Sequence, residues 1–195
     1  MLFQPAKLLL MAVALGSLLC TVASVDIAMY TQNSCRGTRA VCRRIRQNSC
    51  CWVVGSRRAQ SARLLNARPR DQLIVTRRRG NNDCAQRVAK GTGCISRGGR
   101  YDGAFWCRGC RILDGDGAEG VKAAEEGGEK CTRVEPDLLK IGDKWVEVND
   151  TTPEVDKRRL WGLMDSDGAE AIPNDLLKYV TAPPDLGEED MGDDE

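Results

Sequence analysis

The residues Cys50-Cys51-Trp52-Val53-Val54 place two adjacent cysteines at the start of a strand-sized apolar run. Adjacent alpha carbons lie about 3.8 Å apart, which is closer than a disulfide bond normally joins. Cys50 and Cys51 are therefore expected to bond two different partners, which would hold one strand to two neighbours. This stretch predicts a small fold organised around a disulfide-anchored strand.

Four further strand-sized apolar pieces lie near it in the chain, separated by Gly, Asn, Asp, Arg and Ser residues. They cover residues 25–29, 62–65, 72–76 and 104–107. No helical stripe precedes residue 114, so the pattern predicts a mainly β protein, a small disulfide-rich antiparallel sandwich or Greek-key domain. Its expected core residues include Val53, Leu65, Ile74 and Phe105.

The first 24 residues have the order of a secretory signal peptide. Lys7 precedes an apolar run that continues to Ala23, and Val22 and Ser24 supply small residues before a cut after Ser24. The run is too short to span a bilayer comfortably. The sequence therefore predicts a secreted, extracellular protein without a transmembrane anchor, in an oxidising compartment where thiols pair.

Nine of the ten cysteines follow this leader, and eight of the nine precede residue 114. Four disulfide bonds among the eight are expected, but the connectivity stays open because eight cysteines allow on the order of a hundred pairings. The eight candidates are Cys35, Cys42, Cys50, Cys51, Cys84, Cys94, Cys107 and Cys110. Cys131 would then be unpaired or joined to another chain. The sequence contains no histidine, so Ser-His-Asp, Cys-His and His-metal sites are excluded.

Charge divides the chain into two opposed halves. Residues 25–113 carry 19 Lys and Arg against 4 acids, a net charge of +15, and residues 114–195 carry 9 against 24, a net charge of −15. Such a division favours an anionic partner for the basic half, or an intramolecular partner in the acidic half. The candidate anion-binding residues are Arg36, Arg39, Arg43, Arg44, Arg46, Arg77, Arg78 and Arg79.

The acidic half is predicted to lie outside the folded core. Residues 114–135 are rich in Gly and acid, which indicates a flexible linker after the basic β domain of residues 25–113. The tail of residues 136–195 offers a short hairpin or strand at 138–148 and a short helix at 173–180. We expect an acidic, largely disordered C-terminal region with short local elements and no second core.

The first hairpin carries a family resemblance. The stretch Tyr30-Thr31-Gln32-Asn33-Ser34-Cys35-Arg36-Gly37 resembles the first hairpin of βγ-crystallin Greek-key motifs, with Cys35 in the position of the second aromatic residue. Residues 61–64 resemble the Ser-bearing third strand of that motif. The Ile27-Ala28-Met29-Tyr30-Thr31 start and the Asn48-Ser49-Cys50-Cys51 pair are similar to a group of small secreted fungal cysteine-rich proteins. The resemblance covers roughly residues 25–110 and implies a Greek-key fold.

Motifs for metals and cofactors are incomplete. The stretches that begin at Asp114 and Asp165 each lack a position that an EF-hand loop requires. Asn81-Asn82-Asp83 lacks the hydroxyl residues of calcium-binding crystallins, so a calcium site is not carried over. The Cys107 and Cys110 spacing has no second pair to complete a zinc site. We expect no cofactor, no metal site and no catalytic site.

Two modification sites are predicted in the acidic half. Asn149 begins an Asn-Asp-Thr glycosylation sequon. Lys157-Arg158-Arg159 is a basic triplet of the kind that secretory endoproteases cut, and plain surface charge is the competing interpretation.

Two function hypotheses follow from the composition. The first is a secreted, non-enzymatic binding protein of effector, toxin-like or antimicrobial type, whose Arg-rich domain engages an anionic surface or polyanion and whose acidic tail masks it. The alternative is an extracellular structural or matrix protein that self-associates through opposed charges and an unpaired cysteine. Nucleic acid is a disfavoured ligand, because export separates the protein from most of it and aromatic residues are sparse.

Overall fold

A computed structural model describes residues 24–47, 49–53, 58–80, 82–96, 100–109, 132–166 and 171–186. The first sheet has six strands in the spatial order β11 (Val180–Thr181), β10 (Lys144–Glu147), β9 (Leu138–Ile141), β2 (Arg39–Arg46), β1 (Ser24–Tyr30) and β4 (Ser61–Leu65). The second has five, in the order β6 (Asn82–Gly91), β5 (Asp71–Arg79), β7 (Gly103–Arg108), β3 (Cys50–Trp52) and β8 (Arg133–Val134). One α-helix, α1 (Glu154–Asp165), and two 3-10 helices, Asn33–Cys35 and Asn174–Tyr179, complete the described elements.

The two sheets exchange strands. β1 pairs with β2 and β4, but β3, which lies between β2 and β4 in sequence, pairs antiparallel with β7 in the second sheet. In return, Ile95 leaves the β5–β6–β7 unit and bridges Ala62 of β4. Every strand pair is antiparallel except β3 with β8. The prediction of a mainly β, disulfide-rich sandwich is confirmed.

The five strand-sized pieces in the basic half all lie in strands. Residues 25–29, 62–65, 72–76 and 104–107 fall within β1, β4, β5 and β7, and β3 contains the adjacent cysteines. The sequence analysis did not recognise β2 and β6. Both strands contain several charged or amide residues, so their average hydrophobicity is low, although both faces of β2 are buried from Arg39 to Cys42.

The C-terminal half differs from expectation. Residues 138–148 do form a hairpin, but β9 pairs with β2, so this segment extends the first sheet beyond the predicted domain boundary at residue 113. Leu138, Leu139, Leu160 and Leu176 are at most 1% exposed and pack in the cores of the same domain. The physical reason is that β2 would otherwise expose an unpaired, apolar edge. Residues 1–23 of the predicted signal peptide (residues 1–24), residues 110–131 with Cys110 and Cys131, and the end at 187–195 lie outside the described residues.

Helix α1 is stabilised by its packing against the rest of the domain and has no strong apolar stripe. It follows Pro153 and carries Glu154 and Asp156 in its first turn, where carboxylates favour the helix dipole. Trp161 is 4% exposed and joins the inter-sheet core. The Thr38 hydroxyl donates a hydrogen bond to the Met164 carbonyl oxygen at 3.1 Å. These contacts dock the end of α1 beside the first hairpin. None of the described helices is long and apolar enough to cross a membrane.

The adjacent cysteines bond different partners, as predicted. Cys42–Cys51 joins β2 to β3 across the sheets, and Cys50–Cys84 joins β3 to β6. Cys35–Cys94 ties the first hairpin to the chain beside Ile95, with alpha carbons 6.0 Å apart. Cys107 is also disulfide-bonded, and the other described cysteines are used in the three named bonds, so its partner lies outside the described residues. Seven of the eight candidates are therefore in disulfide bonds.

Three apolar clusters account for the predicted core residues. Val53 lies in the main core between the sheets. Leu65 lies instead on the outer face of the first sheet, in a cluster called here the outer cluster; its buried members are Ala28, Tyr30, Val41, Leu65, Leu138, Trp145 and Leu186. Ile74 and Phe105 form a smaller cluster with Cys107 on the outer face of the second sheet. All four residues are buried, but alternation along the strands divides them among three faces.

Candidate anion-binding surface

Asp102 is the buried carboxylate around which several arginines gather. It lies directly before β7, and its side chain is 8% exposed. Its backbone N–H donates to the Thr76 carbonyl oxygen at 2.9 Å, and its own carbonyl oxygen accepts from Val53 N at 3.0 Å. These bonds fix Asp102 between the ends of β5 and β3.

Two arginines contact the Asp102 carboxylate directly. The Arg58 Nε atom lies 3.0 Å from Oδ1, and the Arg78 backbone N–H donates to Oδ2 at 2.7 Å. The Arg58 side chain remains 49% exposed. The carboxylate therefore orients one guanidinium group from the loop before β4 and holds the end of β5 through its backbone.

Three more arginines lie beside this pair. Arg77 donates from Nε to the Arg100 carbonyl oxygen at 3.3 Å, and Arg79 ends β5 beside Gly80, whose φ of +61° suits the tight connection to β6. We call Arg58, Arg77, Arg78, Arg79 and Arg100 the arginine cluster. Arg77 is partly exposed and the other four are exposed. The cluster thus brings arginines from three segments of the chain to the end of the sandwich where β5 ends, with the Arg58 guanidinium group bound to Asp102.

The structure separates the predicted anion-binding residues. Arg77, Arg78 and Arg79 meet in the arginine cluster, whereas Arg36, Arg44 and Arg46 are exposed in and after the first hairpin and along β2. Arg44 has a φ of +52° at a β-bulge, where its backbone N–H donates to Asp26 Oδ1 at 2.6 Å. Asp26 thus stabilises an irregular turn of the backbone in β2.

Arg39 is not available as a surface anion site, because it is 7% exposed. Its guanidinium carbon lies 4.7 Å from the Trp145 ring centre and 5.6 Å from the Tyr30 ring centre. Its Nη1 atom donates to the Tyr30 hydroxyl oxygen at 3.1 Å. This arginine stacks between two aromatic rings on the outer face of the first sheet.

Arg43 is also committed to internal partners. Its Nε atom donates to Asp137 Oδ2 at 2.9 Å, and its Nη2 atom donates to Glu147 Oε1 at 2.5 Å. Burial disfavours the charged guanidinium, but the hydrogen bonds and charges of these two carboxylates outweigh that penalty and raise the pKa of Arg43. The basic and acidic halves of the sequence therefore meet directly at this ion pair.

A second buried carboxylate, Asp71, stabilises the other end of the second sheet. Arg108 Nε donates to its Oδ1 at 2.7 Å, and the Arg68 backbone N–H donates to its Oδ2 at 2.8 Å. Burial would raise the pKa of Asp71, but the hydrogen bonds from Arg108 and Arg68 lower it below the ordinary value. This arrangement anchors the start of β5.

The sequence analysis did not identify Arg58 or Arg100. Arg58 belongs only to the short pair Arg57-Arg58 and Arg100 follows two glycines, whereas Arg77-Arg78-Arg79 is visible as a longer run. The signal that could have found them is Asp102, one of only four acids in the basic half, because a lone buried acid among arginines attracts charged partners.

The predicted modification sites lie in different surroundings. Asn149 is exposed in a turn, where its Oδ1 atom accepts from Thr151 Oγ1 at 2.6 Å. Lys157-Arg158-Arg159 lies inside α1, and Arg159 forms a bidentate pair with Asp175, at 2.5 and 3.1 Å. Cleavage there would require this helix to unfold first. In the part of the chain that the structure describes, no three metal-ligating side chains lie together.

Comparison with known proteins gives one match. No curated protein and no solved structure matches the chain. A family model described as an N-terminal domain matches residues 26–137, more than half of the 195 residues. Its match ends just before β9, although the structure continues the same sheet through β11. On this match, the chain belongs to the ARB_05566_N family of N-terminal domains.

Proposed function

We propose that this chain is a secreted, non-enzymatic binding protein whose arginine cluster engages a polyanion or an anionic surface. The observation that carries the proposal is that arginines from three separate segments lie together beside Asp102, which binds the Arg58 guanidinium group and the Arg78 backbone N–H. An effector, toxin-like or antimicrobial role belongs to this proposal. An exported, stable domain with an anion-binding face would suit any of these roles.

Guanidinium chemistry supports the choice of ligand. Arginine forms bidentate hydrogen bonds with phosphate, sulfate and carboxylate groups, and it stays charged at every physiological pH. Asp102 neutralises only part of the cluster and orients Arg58 through a 3.0 Å contact.

The Cys50–Cys84 bond holds β3 to β6 next to the cluster. Addition of a Cβ atom to Gly103, the residue after Asp102, would bring it within 2.8 Å of Cys84 Sγ.

We further propose that the two sheets, which exchange strands, are built from Greek-key motifs of the βγ-crystallin type. Ser61 Oγ accepts from Cys35 N at 2.9 Å and donates to the Gln32 carbonyl oxygen at 2.5 Å, which folds the first hairpin over the sheet. Gly37 has a φ of +79°, and a Cβ atom there would lie 2.9 Å from the Gln32 side chain. These contacts give the Tyr30–Gly37 spacing a physical basis. The proposed resemblance to small secreted fungal cysteine-rich proteins rests instead on Ile27-Ala28-Met29-Tyr30-Thr31 and Asn48-Ser49-Cys50-Cys51.

The proposal that the acidic half masks the arginine-rich surface applies to only part of that half. Asp137, Glu147 and Asp175 bind arginines within the folded domain, so they serve its structure. A cut after Arg159 would remove Leu160 and Leu176 from the core rather than release a loose tail. The masking proposal is therefore restricted to the acids of residues 187–195, which lie outside the described residues.

Heparin binding tests the proposal on the mature chain. We expect Arg77→Gln, Arg79→Gln and Arg100→Gln together to weaken heparin binding at least about tenfold at 0.15 M salt, because polyanion affinity depends on the number of contacting cations. The charge-matched control is Arg36→Gln, Arg46→Gln and Arg68→Gln, for which we expect less than about a threefold loss.

Equal losses in the two triple variants would show that binding follows net charge alone and would contradict the assignment to the cluster. The same comparison on anionic vesicles distinguishes a membrane from a glycan ligand. Gel filtration at low and high salt separates this proposal from the matrix alternative, which requires oligomers that salt dissociates.

A further inference from the structure

The segment after β11 forms a strap across the edge of the outer cluster. Residues 182–186 follow Thr181 without regular secondary structure and end at Leu186, which is 4% exposed. Ala182, Pro183 and Asp185 are exposed, and Pro184 is partly exposed. Within the strap, Leu186 is thus the side chain that is buried in the domain.

The surface that receives Leu186 combines apolar and cationic groups. Leu186 packs in the outer cluster with Tyr30 and Trp145. Arg39 stacks on both of these rings, and the Lys140 ammonium group lies 5.7 Å from the Trp145 ring centre. Arg63 lies opposite Ala28 on β4 and therefore points to the same face of the sheet. The face offers a slot for a branched apolar side chain, with Lys140 and Arg63 as the partly exposed cations beside it.

The sequence of the strap and of the residues after it combines a leucine with carboxylates, which complements the apolar and cationic surface. Asp185 precedes Leu186, and Glu188, Glu189 and Asp190 follow it in the sequence. Pro183 and Pro184 have no backbone N–H, so they cannot add a further strand to the sheet beyond β11. The strap therefore depends on side-chain burial and charge, which are interactions that a second peptide of similar sequence can replace.

We propose that the outer cluster is a peptide-docking surface that the strap occupies in cis. The partner that fits it is an extended acidic segment of another protein with one branched apolar residue among its carboxylates. The inference does not rest on the arginine cluster, which lies at the end of β5 in the second sheet. The strap then regulates access, because a partner must displace Leu186 before it can bind.

Fluorescence anisotropy with a labelled synthetic peptide of residues 182–195 tests this surface. We expect the mature chain carrying Leu186→Ser to bind the peptide at least about tenfold more tightly than the wild type, because the competing side chain is removed. Leu177→Ser, at a position that is 38% exposed, is the matched control and should bind as the wild type does. The same peptide with its own leucine changed to serine should bind the Leu186→Ser protein at least about tenfold more weakly.

Leu186→Ala provides a milder second variant if Leu186→Ser fails to fold, and we expect it also to bind the peptide more tightly than the wild type. Equal binding by a folded Leu186 variant and the wild type would overturn the proposal. A scrambled peptide of the same composition that binds equally well would overturn it too, because charge alone would explain the binding. Dimers of Leu186→Ser at micromolar concentration would make a second copy of the chain the occupant and would contradict the proposed partner.

Discussion

The two regions on either side of the undescribed residues 110–131 are stabilised by different means. Residues 24–109 contain all three fully described disulfide bonds, whereas residues 132–186 contain no cysteine. The C-terminal region relies on burial, as with Leu160 and Leu176, and on ion pairs such as Arg159 with Asp175. Because β9 pairs with β2, the two regions nevertheless share one sheet and one main core. The comparison teaches that opposed net charge does not separate domains when apolar surface is shared.

The largest effect is expected from removal of the whole C-terminal region. A chain of residues 25–113 would lose β8 to β11 and α1 and would leave β2 as an exposed edge. We expect it to lack a cooperative urea transition by near-ultraviolet circular dichroism, because much of the main core is gone. A chain ending at Leu186 is the control and should retain the transition. A cooperative transition in the shorter chain would mean that the basic region folds alone.

A buried residue of the C-terminal region tests whether the two regions unfold together. Leu160→Ala should lower the free energy of unfolding by about 2–5 kcal/mol, because Leu160 is 0% exposed and its truncation leaves a cavity. Val155→Ala in the same helix should change it by less than about 0.5 kcal/mol, since Val155 is 60% exposed. Urea unfolding under non-reducing conditions gives both values. Two separate transitions in Leu160→Ala would show that the regions are independent.

A disulfide of the basic region gives the reciprocal test. Cys42→Ala with Cys51→Ala should lower the free energy of unfolding by about 2–3 kcal/mol, because the bond closes a loop of sequence separation 9. The single transition should shift as a whole, as it does for Leu160→Ala. Loss of signal from the basic region alone, with the α1 region still folded, would contradict a shared core. Peptide mapping of the variant verifies that the other bonds have formed.

Acid sensitivity sharpens the comparison further. The pKa of Asp71 is lowered because hydrogen bonds from Arg108 and Arg68 outweigh its burial, and the pKa of Asp156 is lowered chiefly by the Tyr179 hydroxyl. Each carboxylate therefore contributes stability that is present above the unfolded pKa of about 4 and is lost as the pH falls through the lower folded pKa. Urea midpoints between pH 2 and 7 measure the loss.

Asp71→Asn and Asp156→Asn should each flatten part of this acid dependence. The Asp71 variant should have the larger effect, because the Asp71 side chain is 0% exposed and that of Asp156 is 12% exposed. If both variants keep the full wild-type acid dependence, other carboxylates are responsible.

The sequence predicted those parts of the fold that depend on local pattern. Residues 72–76 and 104–107 have strand composition, and the Cys50-Cys51 pair has a geometry that strongly favours separate partners. The sequence-based prediction failed where a segment has little local strand character and is stabilised by residues distant in the chain. Arg39–Arg46 reads as a charged segment, yet it forms a central strand because β1 and β9 cover its edges and Arg39 and Arg43 find internal partners.

The candidate site divides in the same way. The Arg77-Arg78-Arg79 run was visible as a charged end of an apolar strand. Arg58 and Arg100 were not predicted to belong to the cluster. Arg58 contacts Asp102, and Arg100 contacts Arg77, only when segments that are separate in the sequence lie together in the folded chain. Conversely, Arg39 and Arg43 looked like surface cations, but Arg39 is buried and Arg43 is partly buried in an ion pair. The sequence did not reveal this, because their partners Trp145 and Asp137 lie about a hundred residues away in the chain.

The sequence by itself determined the β class, the separate partners of the adjacent cysteines and the opposed charges of the two halves. These properties follow from side-chain periodicity, bond geometry and composition, each of which is contained in a short window or a count. Only the tertiary structure decided that the acidic half completes the first sheet, which arginines meet, and that Leu186 covers the outer cluster. Those outcomes depend on which buried faces and edges meet, and such long-range pairings are set by the total burial of the folded chain.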